Sequence, residues 1–288
     1  MRKSVRILIS IGLVTCCSNP AAQVKIAEVS HIGRPHFKIT TQRATYYLDR
    51  SGAGISSVVD TDDIDWINFN GDPHITGAKG ASSGYRGLGN LVFRSDDGGA
   101  GHPGFDKCEC KIISQTEIYC ESISKKWAWT WAFTDEFGKI TLEKTDPGHA
   151  YWFLYEGPVG GQFNPSQHYW GTEEGGPRYE TPSLHRGEAV QGKWQWAYFG
   201  DEKLDRVFFV AQQEKDGLVD YFAYMGDDGE LANDARDGMV VFGFGRDTGA
   251  KPLMTSDGNV FYFGFFPSKI ADAGLHGKLD DYLQSLLK

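Results

Sequence analysis

Cysteine is scarce in this chain: five in 288 residues, of which only Cys108, Cys110 and Cys120 lie beyond residue 22. Three thiols close at most one bridge, and in an oxidising compartment a bridge is the default. Cys110 and Cys120 sit symmetrically about Gln115, as partners across a short hairpin would. Cys108–Cys120 is the alternative, and one thiol is left over in either case. No C-x-x-C spacing accompanies them, which argues against a zinc site shared with His102. Basic residues are in deficit too, at 29 against 38 acidic ones. Long apolar runs are missing: none reaches the about 20 residues of a membrane-spanning helix. The run Ile7–Val14 behind Arg2, Lys3 and Arg6 instead reads as a secretory signal over residues 1–22, cut after Ala21 or Ala22. Leu13-Val14-Thr15-Cys16 offers a lipid anchor at Cys16 as a variant, although Thr15 is a poor residue before such a cut. Export to the periplasm or beyond is the expectation.

Several chemical signatures are absent as well. There is no G-x-x-x-x-G-K-[ST], no H-E-x-x-H and no G-x-S-x-G. Gly52-Ala53-Gly54 lacks the third glycine and following helix of a dinucleotide fold, and Gly243-Phe244-Gly245-Arg246 ends a strand. The chain therefore calls for no cofactor. Asp60-Thr61-Asp62-Asp63-Ile64-Asp65, and Asp227-Asp228 with Asp234 and Asp237, lack the glycine and terminal glutamate of an EF-hand and read as solvated turns. Loss of the three basic residues of the leader takes the formal net charge from -9 to -12, since no acidic residue precedes Gln23. Such a surface repels nucleic acid and anionic lipid.

What is present is β-structure. Trp127-Ala128-Trp129-Thr130-Trp131-Ala132-Phe133 alternates large rings with small residues, so one face of a strand carries every ring. Tyr151 to Tyr155 is apolar on both sides, as a central strand would be. Similar runs recur from His36-Phe37-Lys38 to Val260–Phe265, punctuated by Gly and Asp turns. Only Leu275–Leu287 has helical spacing, with Leu279, Tyr282, Leu283 and Leu286 on one stripe. No repeat, linker or compositional break divides residues 23–288. The expectation is one all-β domain, an antiparallel β-sandwich or jelly roll with a short C-terminal helix. The longest irregular stretch is 157–193, read as a functional loop.

Aromatics make up 14% of the chain, with eight tryptophans. Sugar rings stack their C–H faces on flat aromatics and offer hydroxyls to Asp, Glu, Asn, Arg and His. The stripe Trp127, Trp129, Trp131 reads as core, whereas Tyr169, Trp170 and Tyr179 read as platforms on the loop. Four segments concentrate polar groups at turns and strand ends: Arg86 with Asn90, His102 in Gly101–Gly104, Tyr155-Glu156, and His168-Tyr169-Trp170 with Glu173 and Glu174.

Gly52-Ala53-Gly54-Ile55-Ser56-Ser57, Asp65-Trp66-Ile67, Tyr85-Arg86-Gly87, Tyr151 to Gly157 and Gly238 to Arg246 together resemble secreted lyases and oligosaccharide dehydratases acting on uronic-acid polysaccharides such as ulvan. That resemblance implies β-elimination on an acidic polysaccharide or oligosaccharide and brings no catalytic motif with it. Residue chemistry supplies the roles. Arg86 and Asn90 would neutralise the uronate carboxylate, His102 would take the neighbouring proton, and Tyr155 would protonate the leaving oxygen. Glu156 would orient the base or hold a hydroxyl, while His168, Tyr169, Trp170 and Arg246 would bind substrate. Two alternatives stand beside this reading. One is a glycoside hydrolase pairing Glu156 with Glu173 or Glu174 at roughly 5 to 9 Å; the other is a non-catalytic sugar-binding protein.

Overall fold

The computed structural model describes residues 24–69, 86–225 and 238–288. The leader with Cys16, together with Tyr85, Asp227, Asp228, Asp234 and Asp237, lies outside the described residues. In chain order the strands begin β1 (Lys25–His31), β2 (Arg34–Thr40), β3 (Thr45–Asp49), β4 (Ile55–Val59), β5 (Gly87–Gly89) and β6 (Cys108–Ile112). They continue with β7 (Glu117–Ser122), β8 (Ala128–Phe133), β9 (Phe137–Lys144), β10 (Phe153–Gly157), β11 (His168–Thr172) and β12 (Gly175–Arg178). The last are β13 (Val190–Gly192), β14 (Trp196–Asp201), β15 (Val207–Gln212), β16 (Asp220–Met225), β17 (Met239–Phe244) and β18 (Val260–Phe266), followed by helix α1 (Ala273–Leu286).

These strands form two nine-stranded sheets. The first runs β1-β2-β3-β4-β5-β10-β17-β16-β13 and the second β12-β11-β14-β15-β18-β9-β8-β7-β6. All neighbours pair antiparallel. The expected sandwich with its C-terminal helix is what forms.

Alternation explains how the sheets meet. On β8, Trp129, Trp131 and Phe133 turn inward and are buried, as the ring stripe requires. From the first sheet, Phe153 stacks on Phe261 at 4.5 Å between ring centres, and Tyr155 packs on Phe199 and Phe208 at 5.2 and 4.9 Å. The core between the sheets is thus largely aromatic. Helix α1 is capped by the Asp272 carboxylate, which accepts from the Leu275 amide at 2.9 Å. Its Leu279 and Leu283 close over Trp196, Tyr198, Val207 and Phe209 on the outer face of the second sheet. Among the described residues no helix is long and apolar enough to cross a membrane.

Cys110 and Cys120 face each other across β6 and β7 and are bridged, which selects one of the two pairings open from spacing; Cys108 is the buried free thiol. The stretch 157–193 is not one loop. It contains β11, β12, β13 and a 3-10 turn at Val159–Gly161, so His168, Tyr169 and Trp170 lie on a strand buried on both faces. Nor is Asp60 solvated: it is buried, and its carboxylate accepts from the Asp62 and Ile64 amides and the Trp66 indole.

Candidate functional site

The outer face of the first sheet holds the site. Since Phe153 and Tyr155 turn into the core, their neighbours Leu154 and Glu156 must turn outward. Strand β10 is central, with Glu156 opposite Gly87 of β5 on one side and Val241 of β17 on the other. A segment leaving β5 at Asn90 folds back across this face, held by the Asn90 amide donating to Gly101 O (2.7 Å) and the Gly101 amide to Gly52 O (2.8 Å). Gly99, at φ 96°, lets this segment receive the Phe105 ring; a Cβ there would lie 2.3 Å from a ring carbon.

Beneath it lies a cavity of about 250 Å³ lined by Asn90, Phe93, His102, Phe105, Trp152, Glu156 and Arg246, among others. Trp152 stacks on Phe93 with ring centres 4.8 Å apart, and its indole donates to Asn90 O at 2.6 Å. Glu156 is 3% exposed. Asn90 Nδ2 donates to its Oε2 at 2.6 Å, and Arg246 Nη1 stands 3.7 Å from Oε1. Burial pushes the Glu156 carboxyl up to about 7, because the pull of Arg246 and the Asn90 bond only partly offset desolvation. A carboxyl so placed gives and takes protons at neutral pH. His102 Nδ1 lies 2.6 Å from Pro103 O. A carbonyl only accepts, so Nδ1 carries the proton and Nε2 is the basic nitrogen.

Arg246 arrives by a separate route. Gly245 ends β17 at φ 62° and donates its amide to Asp220 at 3.0 Å, while the Trp194 amide donates to the other Asp220 oxygen at 2.6 Å. Asp220 is fully buried, and burial pushes its carboxyl up to about 8. The Arg246 guanidinium carbon then lies 5.2 Å from the Trp152 ring centre and 4.7 Å from that of Tyr221. Gly243 on β17 makes this possible, because a Cβ there would come within 3.2 Å of the Arg246 side chain and 2.3 Å of Leu154.

The structure therefore unites four of the expected residues, Asn90, His102, Glu156 and Arg246, and separates the rest. Tyr155 points into the core, where its hydroxyl donates to Trp66 O at 2.9 Å and burial holds its pKa well above the usual phenol value. It cannot serve as an acid in this cavity. Arg86 is buried, donates to Gly238 O at 3.0 Å and does not line the cavity. The elimination machinery assigned to Arg86, His102 and Tyr155 is thus not assembled. His168 is buried beside Asp201 at 3.5 Å. Tyr169 accepts from the Ile270 amide (3.0 Å) in the cluster beneath α1, and Trp170 packs on Phe222 in the core. Tyr179, just past the end of β12, is exposed and leans on Tyr169. None of these lines the cavity. Glu173 pairs with Lys215, Glu174 is exposed, and the cavity's one lining carboxylate among the described residues is Glu156, so the hydrolase pair does not form either.

Trp152, Phe93, Tyr221 and Asp220 were not anticipated. Period-two reading of Tyr151–Glu156 carried the signal for Trp152: it shares a face with Glu156, whereas Tyr155 does not.

No protein-family model matches the chain, and no curated protein matches it in sequence. Solved structures do. The protein HI1317 superposes with a TM-score of 0.51 at 12% identity, over 86% of this chain and 97% of its own. A proposed mutarotase, YeaD of Salmonella typhimurium, gives 0.50 at 9% identity, over 85% and 94%. A galactose mutarotase-like protein from Lactobacillus casei gives 0.47 at 12%, over 84% and 100%. The chain shares the fold of HI1317 and of the proposed mutarotase YeaD. The resemblance to uronate-directed lyases and dehydratases is thereby overturned, since the two-sheet architecture is shared with HI1317 and the proposed mutarotase YeaD. At such low identity these likenesses establish the fold alone.

Proposed function

We propose that the cavity binds a small sugar and that Glu156 exchanges a proton with it, interconverting the sugar's anomers. The single observation that carries this reading is the buried Glu156 carboxyl, poised at about 7 on the wall of an aromatic-lined cavity. A volume of about 250 Å³ falls below the ~300–1,000 Å³ of drug-sized sites, which favours one sugar ring over a polymer. Trp152 and Phe93 offer flat faces to C–H groups, and Asn90 and Glu156 meet hydroxyls. Anomer interconversion needs one base and one acid. Glu156 takes the anomeric O–H proton, the bond from the anomeric carbon to the ring oxygen breaks, and a water entering the cavity delivers a proton to that oxygen. Rotation of the freed aldehyde and reversal of both transfers close the other anomer. The fold shared with the proposed mutarotase YeaD makes this the reaction to test first, and the Cys110–Cys120 bridge supports folding in an oxidising compartment.

Exchange spectroscopy by NMR on an aldose panel should show anomer exchange above the uncatalysed rate, falling by about 10²- to 10⁴-fold in Glu156→Gln. Binding without exchange would support the non-catalytic sugar-binding reading, and absence of both would remove the sugar site altogether.

A further inference from the structure

We propose that the sugar bound in this cavity carries a carboxylate, and that the Arg246 guanidinium binds it; this rests on the reading of the cavity as a sugar site. Arg246 is 8% exposed and has five N–H donors, yet it donates no hydrogen bond among the described residues. Its ion-pair partner, Glu156 Oε1 at 3.7 Å, lies beyond hydrogen-bond range, and its Nε is buried with no acceptor among the described residues. Buried guanidinium groups are ordinarily paired and bonded, because an unmet charged donor is costly. Here the terminal nitrogens, which are not among the buried atoms, belong to a residue of the cavity wall.

The surroundings also pre-orient the group. Trp152 and Tyr221 hold the guanidinium from two sides, Gly243 leaves room for its stem, and Asp220 fixes the turn at Gly245 that precedes it. A planar fork held in place matches the two oxygens of a carboxylate. Glu156 does not fill that role, since it engages Asn90 with one oxygen, stands off with the other, and is itself partly protonated near neutrality. A ligand carboxylate does. Phosphate fits less well: among the described residues no other lysine or arginine lines the cavity, and a charge of roughly -1.5 to -2 would exceed what one guanidinium balances beside Glu156. The fitting class is a uronic acid, either free or as the end residue of a short oligosaccharide.

The test compares sugars differing only at C6. Dissociation constants for glucose, glucuronate, galactose, galacturonate and glucose 6-phosphate are measured by calorimetry or ligand-observed NMR on the full wild-type protein. A di- and a trigalacturonate form a separate arm that distinguishes free sugar from chain end. Each uronate should bind about 10- to 100-fold tighter than its neutral parent, as charge-assisted bonds imply. That ratio should fall in Arg246→Lys, which keeps the charge and loses the fork, and approach one in Arg246→Met. Equal binding of uronate and parent by wild type would overturn the inference and leave the sugar site standing. Preference for the phosphate ester would overturn the carboxylate assignment. Failure of every sugar to bind would instead overturn the reading beneath it. Because the wild-type ratio alone decides, misfolding of a variant would not rescue the proposal.

Discussion

On the second sheet, Trp196, Tyr198, Val207 and Phe209 turn away from the core, and α1 lies across them with Leu279 and Leu283 filling the space between. On the first sheet, Leu154 and Glu156 turn away from the core in the same manner, but their cover is the chain between Asn90 and Phe105. The two outer faces come from one rule of alternation and differ in what lies over them. A helix presents a continuous apolar stripe and closes like a second core. An irregular segment presents no such continuous stripe: its Phe93 and Phe105 wall a void in which polar groups meet aromatic rings. Tyr169, expected as a sugar platform, belongs to the sealed face and is therefore structural.

The comparison can be broken most sharply at Glu156. Glu156→Gln should abolish most anomer exchange, at the scale given above, while the melting temperature holds or rises; a large drop in melting temperature with exchange intact would reverse the assignment of the two faces. Leu279→Ala should do the opposite, costing about 2–5 kcal/mol in denaturant unfolding while exchange per folded molecule stays level.

Protonation sharpens the contrast further. Burial raises the Glu156 carboxyl from 4.5 to about 7, so between those values the folded chain binds a proton that the unfolded chain has released. The associated stability is fully present below pH 4.5 and fades as pH rises through 7, so wild type should weaken relative to Glu156→Gln across that window, by at most about 3 kcal/mol. Asp220 shifts in the same direction and cancels in the difference. Parallel stability curves for the two proteins from pH 4.5 to 7 would refute the shift.

Tyr155→Phe should have the smallest effect, about 1–3 kcal/mol from the buried Trp66 carbonyl left without its donor. Exchange should be unchanged, and a hundredfold loss would return Tyr155 to the catalytic set.

Much of the fold was legible because it repeats. Trp127, Trp129 and Trp131 alternate and are core; Leu279 and Leu283 keep helical spacing and are buried; Cys110 and Cys120 mirror each other about Gln115 and are bridged. The site was half legible. Asn90, His102, Glu156 and Arg246 could be chosen as polar residues at turns and strand ends, but Tyr155 was paired with Glu156 against the alternation of a strand. Trp152, Phe93 and Tyr221 meet only because β5, β10, β17 and β16 are neighbours, an order that strand patterns do not encode. The stretch 157–193 looked like a loop because glycine and proline mask its short strands.

The position of Glu156 on a central strand also bears on how the chain avoids misfolding. A slip of β10 by one residue would swap its faces. The carboxyl would then press against Phe199 and Phe208, with no Asn90 or Arg246 to receive it, and the Tyr155 hydroxyl would lose its Trp66 acceptor. Each fault is costly alone, and the slip commits both. The side chain proposed for chemistry thus doubles as a proofreader of strand alignment, rejecting the nearest wrong structure during folding itself.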